Sequence, residues 1–283
     1  MEVQFISSAQ NPKIKRLLLL QQKSQQRRKE GVFVVEGRRE LEHCVKAGFE
    51  LESAFVREEG IVKSEKFATA FVSDIPKTAA ANFSLFTIPS TLYERIAYRG
   101  STEGIVAIVK AKSRRLEDLQ LSEHPLIVVL ESVEKPGNLG AVLRSADAAQ
   151  ADAVVVCDPL TDLYNPNLIR SSIGAIFTVP TVACSSEECI SFCKEHHIQI
   201  LTAQLQDSSL YYDTDMTVGT AIVMGTESTG LTDQWRKAAT AHIRIPMLGR
   251  LDSLNVSVSA AILLFEAVRQ RQKFQTYLSF SRY

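Results

Sequence analysis

Short apolar runs alternate with amphipathic stretches from about residue 30 to the end of the chain. The β-branched runs Val32 to Val35, Ala54 to Val56 and Gly104 to Val109 predict strands. Between them the apolar spacing predicts helices at Arg38 to Ala47, closed by Gly48, near Ser64 to Ala70, and at Tyr93 to Ala97. Ahead of these, Ile14, Leu17, Leu18 and Leu20 mark an amphipathic helix. In the second half, strands are predicted at Leu126–Leu130, Ala153–Cys157, Thr178–Val182, Gln199–Ala203, Thr220–Met224 and His242–Ile245. Helices are predicted at Leu139–Ala149, Pro166–Ile173, Ser186–Glu195, Asp233–Ala239 and Leu254–Lys273. The pattern is that of an α/β protein with a smaller α/β domain over 1–110, a polar linker over 111–124 and a domain over 125–283. The last is expected to hold a mostly parallel sheet covered by helices on both faces.

Composition fits a globular chain long enough for two cores: 283 residues, 45% apolar and 23% charged. No apolar run approaches the roughly 20 residues that cross a bilayer. Met1-Glu2-Val3-Gln4-Phe5 lacks the basic start and apolar stretch of a secretory signal, so a cytoplasmic protein with no membrane partner is expected. The net charge of +0 hides an uneven distribution. Up to Lys29 the basic residues are Lys13, Lys15, Arg16, Lys23, Arg27, Arg28 and Lys29, and the only acid is Glu2. Such a cluster can neutralise RNA phosphates. It is equally the solvated outer face of a packed helix, and the two readings are compatible. Arg38, opening the next helix, is grouped with Lys13, Lys15, Arg16, Arg27 and Arg28 as a candidate RNA contact.

The five cysteines, Cys44, Cys157, Cys184, Cys189 and Cys193, are odd in number and lack a disulfide framework. Cys184, Cys189 and Cys193 with His196 and His197 do not match zinc-ligand spacing. Cys189, Cys193 and His196 fit the buried stripe of a helix, so no metal is expected.

Candidate chemistry centres on Asn138-Leu139-Gly140-Ala141-Val142-Leu143-Arg144-Ser145-Ala146. It follows an apolar run and a turn-like Glu134-Lys135-Pro136-Gly137, and so reads as strand, loop, helix. Asn138 is a good N-cap, and Ala141, Arg144 and Ser145 fall close together on one face. Alone, the segment is as well explained by an ordinary βα unit with an exposed Arg. No Gly-x-Gly-x-x-Gly follows the first strand of this domain, which disfavours a dinucleotide site. Gly225 to Gly230 lacks the Lys-Ser/Thr of a phosphate-binding loop.

Three further blocks change the weight of that segment. Val223-Met224-Gly225-Thr226-Glu227-Ser228-Thr229-Gly230-Leu231, Ile243-Arg244-Ile245-Pro246-Met247 and Asp252-Ser253-Leu254-Asn255-Val256-Ser257-Val258-Ser259-Ala260-Ala261 follow it in order. Together, over roughly residues 124 to 275, they resemble the SpoU/TrmH family of RNA ribose 2′-O-methyltransferases. Arg170-Ser171-Ser172-Ile173-Gly174-Ala175 resembles the family segment between the first two blocks. Val32-Phe33-Val34-Val35-Glu36-Gly37 and Thr102-Glu103-Gly104-Ile105-Val106-Ala107-Ile108-Val109 are similar to its L30e-like substrate-binding domain. The resemblance implies a C-terminal trefoil knot and S-adenosylmethionine held at Gly225, Ile245 and Leu254. It implies catalytic roles for Arg144, Asn138, Glu227, Ser253 and Asn255, and a homodimer formed through the catalytic domain. Arg144 then binds the target phosphate and orients the ribose hydroxyl, because a guanidinium stays protonated and is a poor base. Ribosomal RNA, of the 23S type, is the expected substrate. Transfer RNA, or a catalytically silent RNA-binding role on the same scaffold, is the alternative.

Overall fold

In the first part of the chain, β-branched segments flanked by amphipathic helices build a five-stranded mixed sheet. The computed structural model describes residues 3–58, 83–98, 104–226, 229–251 and 253–280, with side chains to 272. The helix expected near Ser64 to Ala70, and Thr102, Glu103, Glu227 and Asp252, lie outside the described residues.

The chain divides into two units, Met1–Ser113 with Asp162–Thr178, and Arg114–Thr161 with Val179–Tyr283. In the first, β1 (Val3–Phe5), α1 (Pro12–Gln22), α2 (Ser24–Glu30), β2 (Val32–Glu36), α3 (Arg38–Lys46) and β3 (Leu51–Arg57) precede β4 (Ser84–Ile88), α4 (Ser90–Ile96) and β5 (Ile105–Lys110). The sheet order is β1-β4-β3-β5-β2. α1 begins on Asn11, whose side chain accepts from Lys13 N, and Pro12 sits where a missing N–H costs nothing. It buries Ile14, Leu17 and Leu20 against Phe55, Phe86 and Tyr93. The stretch 162–178 carries α6 (Pro166–Ser171) and α7 (Ala175–Thr178). It belongs to this unit through aromatic packing: Tyr164 stacks on Phe33 at 4.3 Å, and Phe177 meets Phe49 at 5.4 Å. The helix expected over Pro166–Ile173 breaks because Ile173 and Gly174 both take positive φ, 56° and 83°. A Cβ on Gly174 would lie 3.0 Å from the His43 ring, so glycine serves both the turn and the packing.

The second unit holds β6 (Leu126–Glu131), α5 (Pro136–Ala148), β7 (Ala153–Cys157), β8 (Thr181–Cys184), α8 (Ser186–Glu195), β9 (Gln199–Ala203) and β10 (Ser209–Leu210). β11 (Thr220–Met224), α9 (Asp233–Ala238), β12 (Ala241–Arg244) and α10 (Val256–Phe280) complete it. Its seven strands are all parallel, in the order β10-β12-β9-β11-β6-β7-β8. The central strands are buried along their whole length, as parallel strands covered on both faces must be. Leu116, within the expected linker, is buried in this unit's core with Trp235 and Phe192. His196 is not part of the buried stripe; it is exposed at the C-cap of α8, while Cys189 and Cys193 are buried. Among the described residues no helix is long and apolar enough to cross a membrane.

Candidate active site

In a parallel sheet the chain leaves every strand at the same end, and ligands bind there. β6 ends in Glu131, and Ser132 turns the chain at φ 53°. α5 then starts at Pro136, two residues earlier than the Asn138 cap expected from sequence. The proline takes the first helical position, which frees the Asn138 side chain from capping. Its Oδ1 instead accepts from Asn255 Nδ2 at 3.2 Å, joining segments 117 residues apart. Asn255 also caps α10: its Oδ1 accepts from Ser257 N at 3.0 Å and Ser257 Oγ at 2.6 Å. The asparagine is therefore both cap and crosslink.

Two adjoining cavities lie at this end of the sheet. The larger, about 420 Å³, is walled by the ends of β9, β11 and β12 and the start of α10. Gly225, Ile245, Ser253 and Leu254 all line it. That volume is in the range for a nucleoside-sized ligand. The smaller, about 180 Å³, is lined by Glu131, Lys135 and Asn138, and Gly225, Thr226 and Val256 line both. The structure thus brings together Asn138, Gly225, Ile245, Ser253, Leu254 and Asn255. Arg144 lies elsewhere. It sits six residues beyond Asn138, about 9 Å along the helix, is exposed and lines neither cavity. Among the described residues it makes no hydrogen bond or ion pair.

Gly225 is glycine for a different reason from the close ligand approach its position suggests. A Cβ there would lie 2.3 Å from the Gly230 carbonyl carbon and oxygen and 2.6 Å from Leu231 N, so the crowding is the chain against itself. The turn returns at once: Gly230 N donates to Thr226 O at 3.1 Å, and the Thr226 and Thr229 hydroxyls pair at 2.7 Å. Glu131 escapes sequence reasoning. It is 3% exposed and accepts from Thr232 N at 2.9 Å and Thr232 Oγ1 at 2.6 Å, tying the loop to β6. The only sequence signal is an acid directly closing an apolar strand. Gln204 is a second such residue. It lines the larger cavity, and its Oε1 is the one buried side-chain atom without a partner among the described residues.

The candidate RNA contacts of the first unit separate by burial. Lys13, Lys15 and Arg28 are exposed; the Lys13 ammonium sits 4.0 Å over the Phe86 ring. Arg27, by contrast, is buried. It is 5% exposed, paired with Asp162 at 2.7 Å, and donates to Leu20 O at 2.6 Å. Its guanidinium is consumed internally. Arg16 pairs with Glu30 at 2.6 Å and with Glu52, and these bonds, opposed by burial, hold its pKa above the ordinary arginine value. Arg38 pairs with Glu42 at 2.7 Å.

Comparison with known proteins decides the family. The SpoU rRNA Methylase family model matches residues 125–265, and an MRM3-like substrate binding domain matches residues 11–107. A solved RNA 2′-O ribose methyltransferase is 40% identical, with a TM-score of 0.78 over 95% of this chain and 99% of the other. This chain belongs to the SpoU rRNA methylase family. It is an RNA 2′-O-methyltransferase. A family member from Bacillus subtilis (strain 168), a 23S rRNA (guanosine(2553)-2′-O)-methyltransferase, is 27% identical over 260 residues, 92% of this chain and 97% of its own. The AdoMet-bound rRNA methyltransferase from Sinorhizobium meliloti is 25% identical, with a TM-score of 0.84 over 94% of this chain and 98% of that one.

Proposed function

We propose that this chain transfers a methyl group from S-adenosylmethionine to a ribose 2′-hydroxyl of 23S-type ribosomal RNA, working as a dimer. The observation that carries the reading is the Asn138–Asn255 bond, which ties the lining of the smaller cavity to the start of α10, where two cavities share Gly225 at the ends of the parallel strands. The larger cavity fits the cofactor. Its Gln204 Oε1 needs a donor, and a nucleoside with amino and hydroxyl groups supplies one. Bound there, S-adenosylmethionine contributes an electrophilic sulfonium methyl. Gly225 offers backbone, while Ile245 and Leu254 offer apolar cover. Asn138 and Asn255 fix the wall between the cavities, Ser253 hydrogen-bonds the target nucleotide, and Glu227 holds the loop after β11. The trefoil knot implied by the family resemblance would bring the start of α10 through a loop to this wall.

Arg144 binds the target phosphate and thereby orients the hydroxyl whose proton must leave. Its exposure and its distance from its own cavities support delivery to the cavity of a second copy. α10 buries Ala260, Leu263, Leu264 and Ala267 but leaves Val258 and Phe265 exposed, an apolar face such a copy would cover. A mixing experiment tests both ideas. Arg144→Ala is expected to bind cofactor with unchanged affinity by calorimetry and to lose methylation by at least about 10²-fold. Mixed one to one with the cofactor-cavity variant Gly225→Val, it is expected to recover about a quarter of wild-type activity, since half the dimers then hold one complete site. No recovery would place Arg144 in its own subunit's site, and undiminished methylation by Arg144→Ala would remove it from the reaction.

A further inference from the structure

Away from both cavities, three cysteines converge from separate elements. Cys157 closes β7, Cys184 closes β8, and Cys189 lies in the first turns of α8. Their sulfur atoms all lie within 4.8 Å of one another. Sequence spacing had grouped Cys184 and Cys189 with Cys193; the sheet register substitutes Cys157. Cys157 and Cys189 are fully buried in the apolar core of this unit, whereas Cys184 is partly exposed. The nearest acids are engaged elsewhere: Asp158 accepts from Ser186 Oγ at 2.6 Å, and Glu188 accepts from Ser185 N at 2.7 Å. None of the three cysteines takes part in methyl transfer as described above.

We propose that Cys184 and Cys157 form a reversible dithiol–disulfide pair oxidised by peroxides, in which Cys184 reacts first and Cys157 resolves. The arrangement has the two parts such a pair requires, an accessible thiol and a protected thiol in contact with it. Cys157 and Cys184 are in register on neighbouring parallel strands. Neighbouring strands lie about 4.8 Å apart, inside the Cα window of about 4.4–6.8 Å for a disulfide. The bond therefore forms by side-chain rotation, with the backbone in place. Hydrogen bonds donated by the Cys157 and Cys189 thiols pull the Cys184 thiol well below the usual thiol value, and the same bond pushes Cys157 up. That direction favours the thiolate, the nucleophilic form, on the exposed sulfur.

In the first step the Cys184 thiolate attacks a peroxide oxygen. An S–O bond forms and the O–O bond breaks, giving Cys184 sulfenic acid; the departing oxygen leaves as water after taking a proton from solvent. Oxidation removes the charge on Cys184 that held the Cys157 proton. The Cys157 sulfur then attacks the Cys184 sulfur, the S–S bond forms, and the sulfenic oxygen leaves as a second water with the Cys157 proton. Two thiols lose two electrons to one hydrogen peroxide. A thiol reductant restores the pair, as expected of a transient disulfide in a reducing compartment.

Trypsin separates the possible partners. Cys157 falls in the peptide Ser145–Arg170, and Cys184, Cys189 and Cys193 all fall in Ser171–Lys194. The full-length chain, reduced and freed of metal by a chelator, is treated with equimolar hydrogen peroxide, blocked with iodoacetamide and digested without reductant. The expected product is the two peptides joined, two hydrogens lighter than their sum, and separated again by dithiothreitol. Cys184→Ser abolishes it and Cys189→Ala leaves it. In the untreated wild type, Cys184 is expected to alkylate at pH 6 while buried Cys44 does not. A Cys184–Cys189 link inside a single peptide would overturn the proposal. So would Cys184 sulfinic acid without a cross-link, or protein that retains a soft metal on these sulfurs and resists oxidation.

Discussion

Gly225 shows how far a single residue can be read. The family resemblance sets it against the cofactor, but the atoms that require a glycine there belong to Gly230 and Leu231. Because those atoms are backbone, they cannot step aside for a methyl group. Gly225→Ala is expected to open the turn, lower the thermal midpoint and abolish cofactor binding by calorimetry; a variant that melts and binds like wild type would show that the loop relaxes freely. The two asparagines separate cap from crosslink. Asn255→Ala loses the α10 cap and should cost about 1 kcal/mol in denaturant unfolding, within the usual range for caps. Asn138→Ala, which caps nothing, should unfold like wild type. Both should methylate more slowly, and equal destabilisation by the two would contradict the division of roles. Asn138, Ser253 and Asn255 were singled out together by the family resemblance, whereas the local cap signal at Asn138 misled, the cap being Lys135. Glu131 was not, since its partner Thr232 lies 101 residues away, and Gln204 was not, since nothing near it in sequence marks the cavity it lines.

At the level of elements, the strands of the second unit were the most legible part of the chain. Ala153–Cys157 and Thr220–Met224 are central strands whose apolar runs leave little choice of limits. β1, β4 and β10 went unread. Two are edge strands of three and two residues, too short for a period to register. α10 was read to Lys273 and runs to Phe280. What fastens this helix is again non-local: the Arg271 guanidinium donates to the carbonyls of His124, Met216 and Val218 at 2.7, 3.0 and 2.9 Å. Burial lowers its pKa, opposed by the charge of Asp152, and the bonds to the carbonyls offset the cost of burying the guanidinium. Arg271→Met leaves several carbonyls unsatisfied and is expected to cost about 1–3 kcal/mol, read as a fall in urea midpoint at unchanged slope. A midpoint within error of wild type would mean that water replaces the guanidinium.

For the molecule as a whole, a net charge of +0 says little about RNA, and the position of each charge says more. The first 29 residues read as a dense basic cluster because the acids that answer it lie later in sequence: Glu30 and Glu52 for Arg16, Asp162 for Arg27. Lys23 and Lys29 are exposed as well, and the candidate RNA contacts that remain open at the surface are Lys13, Lys15 and Arg28. If these three contact phosphate, replacing them together by glutamine should weaken RNA binding at low salt. It should also reduce the slope of log affinity against log salt by about 2 to 3, the counterions three contacts release. Arg27→Gln should behave in the opposite manner. It strands Asp162 beside an uncharged amide and should destabilise the chain by about 3 kcal/mol, while the salt slope of the folded fraction stays as it was. A triple variant with an unaltered slope would move the RNA-binding surface away from this helix. An Arg27 variant with a reduced slope would return that residue to it, despite its burial.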